Sequence, residues 1–348
     1  MSTTVAAFPH TASRSTRPVA IWLFAVCAML AVMVALGGAT RLTGSGLSIM
    51  EWAPLSGTLP PLTHAAWERL YHLYQQIPQY QLVNKGFGLA GFQQIFWLEW
   101  VHRLWGRLIG LVFLVPLLWF AIRRELPLRL LPRLAALFVL GGLQGLVGWL
   151  MVASGFEADA TAVSPYRLVA HLTLALLLYA AILWTALGLW QQRPSPRLPS
   201  LARRLVQASC ALVALTIVAG GFVAGTKAGY IYNTYPLMDG HLIPTSYGAL
   251  SPWTRNLFEN LAAVQFDHRL LATLTALTVL ATVVVGLRRA TGGTRQALAA
   301  FGAAVVLQYA LGVATLLLVV PVPLATLHQF VAVLLLTTAL ATLHTQRG

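Results

Sequence analysis

Four histidines, His102, His171, His268 and His328, stand near the starts of strongly apolar stretches. Two are followed directly by arginine, as His102-Arg103 and His268-Arg269, and Arg167 stands four residues before His171. Glu99 and Gln265 each precede a histidine by three residues, a spacing that puts both members of the pair on one helix face. Ionisable groups inside apolar segments are costly, and their default reading is functional. Two neutral imidazoles facing each other across a helix bundle suit a six-coordinate haem iron. Zinc or copper would call for a third or fourth ligand, and neither cysteine nor carboxylate accompanies each histidine pair. Arginine beside the histidines suits the two anionic haem propionates, which a guanidinium can clamp bidentately. Arg103 and Arg269 are assigned to such contacts because the His-Arg pair recurs. For Arg107 and Arg167 the propionate reading stands beside simple snorkelling to the interface. His64, His72, His10 and His344, in an outer segment or near the termini, read as solvated; His241, in "PLMDGHLIP", is left without a role.

The elements that must position these groups are membrane spans. Of the 348 residues, 58% are hydrophobic and 9% charged, with a mean hydropathy of +0.73. Soluble domains carry about 25% charged residues, so this chain cannot cover a water-facing surface. Eight apolar stretches near 19–39, 99–122, 134–153, 167–189, 204–224, 266–287, 297–320 and 323–343 have the length of a bilayer crossing. The fold class expected is an all-α polytopic membrane protein with eight transmembrane helices. The net charge of +14 does not point to nucleic acid. Fourteen of the 23 basic residues lie in five short segments: Arg14 and Arg17; Arg123, Arg124, Arg129 and Arg133; Arg193, Arg197, Arg203 and Arg204; Arg288, Arg289 and Arg295; and Arg347. Glu125 is the one acid among them. This alternation puts those segments and both termini in the cytoplasm, and the four histidines near the outer face. The run Val19 to Gly38 is too long for a signal-peptide core and reads as a retained first span. Outer segments 40–98 and 225–265, rich in Gly, Pro and aromatics, are expected to fold back over the bundle. Cys27 and Cys210, both in apolar runs, read as small buried hydrophobes.

The chain also repeats itself. "GGATRLTGSGL" at 37 pairs with "GGFVAGTKAGY" at 220, and "EWVHRL" at 99 with "QFDHRL" at 265. "LQGLVG" at 143 pairs with "LQYALG" at 307, and "RLVAHLTLALLL" at 167 with "PLATLHQFVAVLLL" at 323. The order is kept and each half holds an even number of spans, so the halves are parallel repeats about an axis near the membrane normal. The expected organisation is two four-helix bundles, residues 1–190 and 205–348, joined by a cytoplasmic linker at 191–204. In this alignment Glu99 falls opposite Gln265. A duplicated site that keeps a carboxylate in one half suggests divided labour, with chemistry in the N-terminal half and electron transfer in the C-terminal half. The competing reading is that Glu99 pairs with Arg103 or Arg107 as an interfacial ion pair.

The segments "IFWLEWVHRLWGR", "GGATRLTGSGLS", "NTYPLMDGHLIP", "QFDHRLLA" and "TLHQFVA" resemble the haem A synthase family, over nearly the whole chain from Val19 to about Thr342. The resemblance implies an oxidoreductase of the bacterial inner membrane that oxidises a ring methyl of haem O to the formyl group of haem A, serving haem-copper oxidase assembly. It implies that His102 and His171 ligate the substrate haem, that His268 and His328 ligate a permanent haem B, and that Glu99 is the family's essential acid. The partners it implies are haem O, membrane lipid, a haem O synthase, cytochrome oxidase assembly factors and an electron donor such as quinol or ferredoxin; a homo-oligomer is compatible with it. Some members carry a Cys pair in the first outer loop, and residues 40–98 contain none. The chain is thus similar to the proteobacterial and mitochondrial subgroup that lacks it. The rival readings are a two-haem cytochrome b-type carrier oxidising quinol, a transporter and a structural assembly subunit. The carrier explains the histidines and arginines but leaves the Glu99/Gln265 difference without a purpose.

Overall fold

The computed structural model describes residues 16–127, 129–191 and 196–347; His10, Arg14 and Arg193 lie outside them. Eight helices are long and apolar enough to cross a membrane. They are α1 (Arg17–Leu42), α4 (Leu89–Ile122), α5 (Leu131–Ala153), α6 (Pro165–Trp190), α7 (Ser200–Thr226), α9 (Leu261–Leu287), α10 (Gly292–Leu317) and α11 (Val322–His344). Shorter helices α2 (His64–Gln75), α3 (Pro78–Leu82) and α8 (Asn256–Glu259) lie in the connecting segments. The protein is an all-α polytopic membrane protein. Large apolar side chains such as Leu111, Val115, Leu177 and Leu277 remain exposed on the helix surfaces, as lipid-facing positions must.

The expected spans match these helices to within five residues at each end, with one exception. Helix α4 starts at Leu89 and not near residue 99. Its extra turns are apolar for a reason other than lipid. Phe92 and Phe96 are buried against Leu47 and against Leu70 and Tyr74 of α2. The Trp67 and Phe96 ring centroids are 4.8 Å apart. The segment 40–98 therefore folds back onto the bundle, and Val152, Phe156 and Val163 complete the same cluster. Glu99 and His102 consequently sit about 15 and 20 Å along α4 from its start, at 1.5 Å per residue, not at a helix mouth.

Within each half the four spans form a ring of neighbours: α1, α4, α5 and α6 in one, α7, α9, α10 and α11 in the other. Between halves α1 packs on α11, α6 on α7, and α6 on α11. Exchanging each helix for its repeat counterpart reproduces these contacts, the signature of a two-fold relation between parallel repeats. One apolar core runs through both halves and includes Cys27, Phe113, Leu183, Val213, Val279 and Phe301. Helix α7 begins at Ser200, so the last residues of the 191–204 connector are already helical. One helix defect is repaired across the bundle. Pro116 inside α4 has no N–H for the carbonyl of Val112, and Trp22 Nε1 of α1 donates to it at 2.7 Å.

Candidate functional site

Each of the four histidines leans on a glycine of a neighbouring helix. A methyl carbon built onto Gly37, Gly148, Gly220 or Gly312 would lie 3.1, 2.7, 2.9 or 2.9 Å from the Cε1 of His102, His171, His268 or His328. Gly37 corresponds to Gly220 in the repeat and Gly148 to Gly312. The cradle is thus duplicated with the histidines, and only a residue without a side chain lets each ring approach so closely. His102 and His171 stand on α4 and α6 of one half, and His268 and His328 on α9 and α11 of the other. The Nδ1 atoms of His102, His268 and His328 are buried without a hydrogen-bond partner. Gln144 Nε2 lies 3.1 Å from His171 Nδ1 and donates to the His171 carbonyl at 2.8 Å. Its repeat counterpart Gln308 lies 3.4 Å from His328 Nε2. Gly148, Gly312 and the glutamines stand in the repeats "LQGLVG" and "LQYALG", and Gly37 and Gly220 in "GGATRLTGSGL" and "GGFVAGTKAGY"; only packing shows what they touch.

Glu99 is 2% exposed, and both its oxygens are occupied. Arg103 Nε and Nη2 donate to Oε1 at 3.1 and 2.7 Å. The Ser48 hydroxyl and the Ile49 N–H donate to Oε2 at 2.7 and 2.9 Å. The loop that delivers them leaves α1 through Gly44, whose φ of 69° is in the left-handed region. In the other half Lys227, at the corresponding position, has a φ of 62°. Gln265, also 2% exposed, takes the place of Glu99. Its Oε1 accepts from Arg269 at 2.8 Å, while its Nε2 donates to the carbonyls of Ala228 and Ile231. The first loop offers an N–H and an O–H to a carboxylate; the second offers two carbonyls to an amide. The Glu/Gln difference is therefore matched by the polarity of the loop opposite it.

The arginines also clamp these loops. Arg103 donates to the carbonyls of Glu51 and Ile49, and Arg269 to those of Thr234 and Tyr232. Those acceptors stand at corresponding places in the two repeats, so the recurrence of His-Arg has a structural reason of its own. The ion pair between Glu99 and Arg103 is present, as the competing reading of the sequence had it. Arg107 holds the carbonyls of Pro54 and Ala53, which leaves its Nη1 buried without an acceptor. Arg269 Nε is in the same condition. Arg167 bonds the Leu150 carbonyl and meets Glu157 at 3.3 Å. In the first loop, hydrogen bonds from Arg69 hold the Glu51 carboxyl below the ordinary carboxylate range.

Three other histidines have clear surroundings. His64 is exposed and faces Glu68 at 3.4 Å. His344 is not solvated, contrary to its position near the terminus. It is buried, bonds Gln191 Oε1 at 2.8 Å and meets the Trp184 ring edge-on, tying the end of α11 to the end of α6. His241 closes a two-residue turn with Met238 through a pair of backbone hydrogen bonds. The turn residues Asp239 and Gly240 both have positive φ, which the Asp-Gly sequence favours.

Two imidazoles per half, each close-packed on a glycine, and three of them with a buried Nδ1 lacking a protein partner, fit haem ligation. Among the described residues no three His, Cys, Asp or Glu side chains gather into a metal-ion cluster. Residues 20–340 match the family described as cytochrome oxidase assembly protein. The chain is 63% identical to heme A synthase of Granulibacter bethesdensis over 332 residues, covering 95% of this chain and 87% of that protein. The chain belongs to the haem A synthase family. Other relatives with the family name are similar over comparable lengths. Heme A synthase of Rhodospirillum centenum is 49% identical, covering 100% of this chain and 93% of its own. Heme A synthase 2 of Acidiphilium cryptum is 48% identical, covering 93% and 90%.

Proposed function

We propose that the protein is a haem A synthase that oxidises a ring methyl of haem O to the formyl group of haem A. In the N-terminal half His102 and His171 would hold haem O, and in the C-terminal half His268 and His328 would hold haem B. The observation that carries this division is the buried carboxylate of Glu99, one helical turn before His102, where the other half has the neutral Gln265. Haem supplies the redox chemistry that side chains lack. The chain's own residues supply the setting. Glu99 is held as a fixed anion by Arg103, Ser48 and Ile49, and with both oxygens accepting it serves to stabilise positive charge that develops at the substrate. The buried N–H groups without acceptors, on Arg107 and Arg269, are the donors assigned to haem propionates, with Arg103 and Arg167 beside them. The outer segment 40–98 covers this end and excludes water. In this reading the protein lies in a bacterial inner membrane with both termini cytoplasmic and the haems near the outer face. It takes haem O from a haem O synthase and electrons from a donor such as quinol or ferredoxin.

The test is Glu99→Gln in a host that makes haem O, followed by extraction and separation of the haems. Haem A is expected to fall by about 100-fold or more, the scale of losing a preorganised charge. A normal haem A yield would overturn the role of Glu99. Extracts holding haem B alone from the unaltered protein would favour the two-haem carrier. His268→Ala is expected to remove haem B while haem O stays bound, and a full low-spin haem B spectrum in that variant would refute the assignment.

A further inference from the structure

At the end of the bundle opposite the histidine sites, a cleft of about 480 Å³ opens where the two halves join. Its lining includes Trp184 of α6, Ser200, Arg203 and Arg204 of α7, and Gln346 and Arg347 just after α11. Three arginines line it, and among the described residues no acidic side chain does. Arg203 Nε is buried without a hydrogen-bond partner. Arg347 lies over the Trp184 ring at 4.6 Å and is steadied by His344 at 3.3 Å. Ser200 is the first residue of the 27-residue helix α7, whose N-cap, Pro199, offers no side-chain acceptor to the first-turn N–H groups. A helix N-terminus left open in this way attracts anions. Snorkelling explains single arginines at a membrane edge, but not three around one cavity with a buried donor left unpaired.

We propose that this cleft is a binding site for a phosphate-bearing anion. The chemistry is that of a phosphate oxygen set held by Arg203, Arg204 and Arg347 at the N-terminus of α7. Its source is either the headgroup of an anionic phospholipid in the adjacent leaflet or free phosphate. Because α6, α7 and α11 meet here, an occupied site bridges the two halves at the end remote from the haems, and occupancy raises the stability of the whole chain.

The experiment uses the full chain with its haems, purified in neutral detergent. Thermal unfolding is followed with added phosphatidylglycerol, phosphatidylcholine or inorganic phosphate, at ionic strength matched with chloride. Phosphatidylglycerol or phosphate is expected to raise the midpoint by several degrees over the chloride and phosphatidylcholine samples. The rise is expected to vanish in R203Q/R204Q/R347Q and to persist in R288Q/R289Q/R295Q, which removes equal charge from exposed positions elsewhere on the basic face. A rise with phosphatidylglycerol alone assigns the lipid; a rise with phosphate as well shows that the free anion suffices. No rise with either additive overturns the proposal, and so does a rise kept or lost equally in both triple variants. Arg204 is exposed, so R204Q keeps the test available if the triple variant does not fold. Native mass spectrometry should then show at least a several-fold loss of phosphatidylglycerol adducts, and unchanged adducts would count against the site.

Discussion

Glu99 and Gln265 are near-isosteric, yet exchanging them would set like against like. Glu99→Gln turns an amide NH2 toward the Ser48 hydroxyl and the Ile49 N–H, and Gln265→Glu turns a carboxylate toward the Ala228 and Ile231 carbonyls. Each mismatch costs about 1–3 kcal/mol. Gln265→Glu is therefore expected to lower the unfolding midpoint and haem B content together, a result that protein-to-haem stoichiometry would read. Ser48→Ala removes one donor and keeps the charge, so about 1 kcal/mol of stability should go while haem A synthesis largely persists. The glycine cradles give a half-specific test. Gly148→Ala places a methyl against His171, and Gly312→Ala places one against His328. The first is expected to perturb the low-spin signature of the N-terminal haem alone and the second that of haem B alone, as resolved by electron paramagnetic resonance. Equal effects of both on both haems would refute the cradle.

At the scale of elements, α4 does two jobs along one length. Its first turns are a scaffold for segment 40–98, and its later turns are apolar enough to cross the membrane. Phe92→Ala or Phe96→Ala opens the aromatic cluster with Trp67, Tyr71 and Tyr74, and each should cost about 3–5 kcal/mol, as large core truncations do. Limited proteolysis is expected to cut within residues 50–88 first in these variants, before any transmembrane helix is lost. Cutting elsewhere first would show that the cluster does not hold this segment. Trp22→Phe isolates the repair at Pro116. It leaves the Val112 carbonyl unpaired in an apolar setting, and the unfolding midpoint should fall by the equivalent of about 1–3 kcal/mol with the haems retained.

At the scale of the molecule, the halves share one apolar core along their length. Helices α1 and α6 of one half lie against α7 and α11 of the other. Val213, Val279, Phe301 and Cys27 belong to a single apolar cluster. A chain interrupted between residues 191 and 199 and produced as two pieces is expected to reassemble, with both pieces and both haems co-purifying on a tag carried by one. Independent recovery of the pieces would contradict a shared core.

Spans, repeat, paired histidines and the Glu99/Gln265 difference were legible in the sequence. Hydropathy and the cost of buried charge act through residue type and spacing, which a linear chain displays. The start of α4 was misplaced, because "FQQIFWL" is apolar whether it faces lipid or an aromatic loop cluster, and only contact with Trp67 and Tyr74 distinguishes the two. The meaning of the arginines was hidden for a related reason. A guanidinium beside a histidine can meet a propionate or a backbone carbonyl, and the carbonyls of Ile49, Glu51, Tyr232 and Thr234 come within reach only once the loops have folded back. His344 looked solvated because chain position says nothing of Trp184 and Gln191 across the bundle. By itself the sequence determined which groups the membrane had to bury and in what order. The tertiary structure alone decided what each buried polar atom bonds to, because a hydrogen-bond partner is fixed by distance and direction and not by separation along the chain.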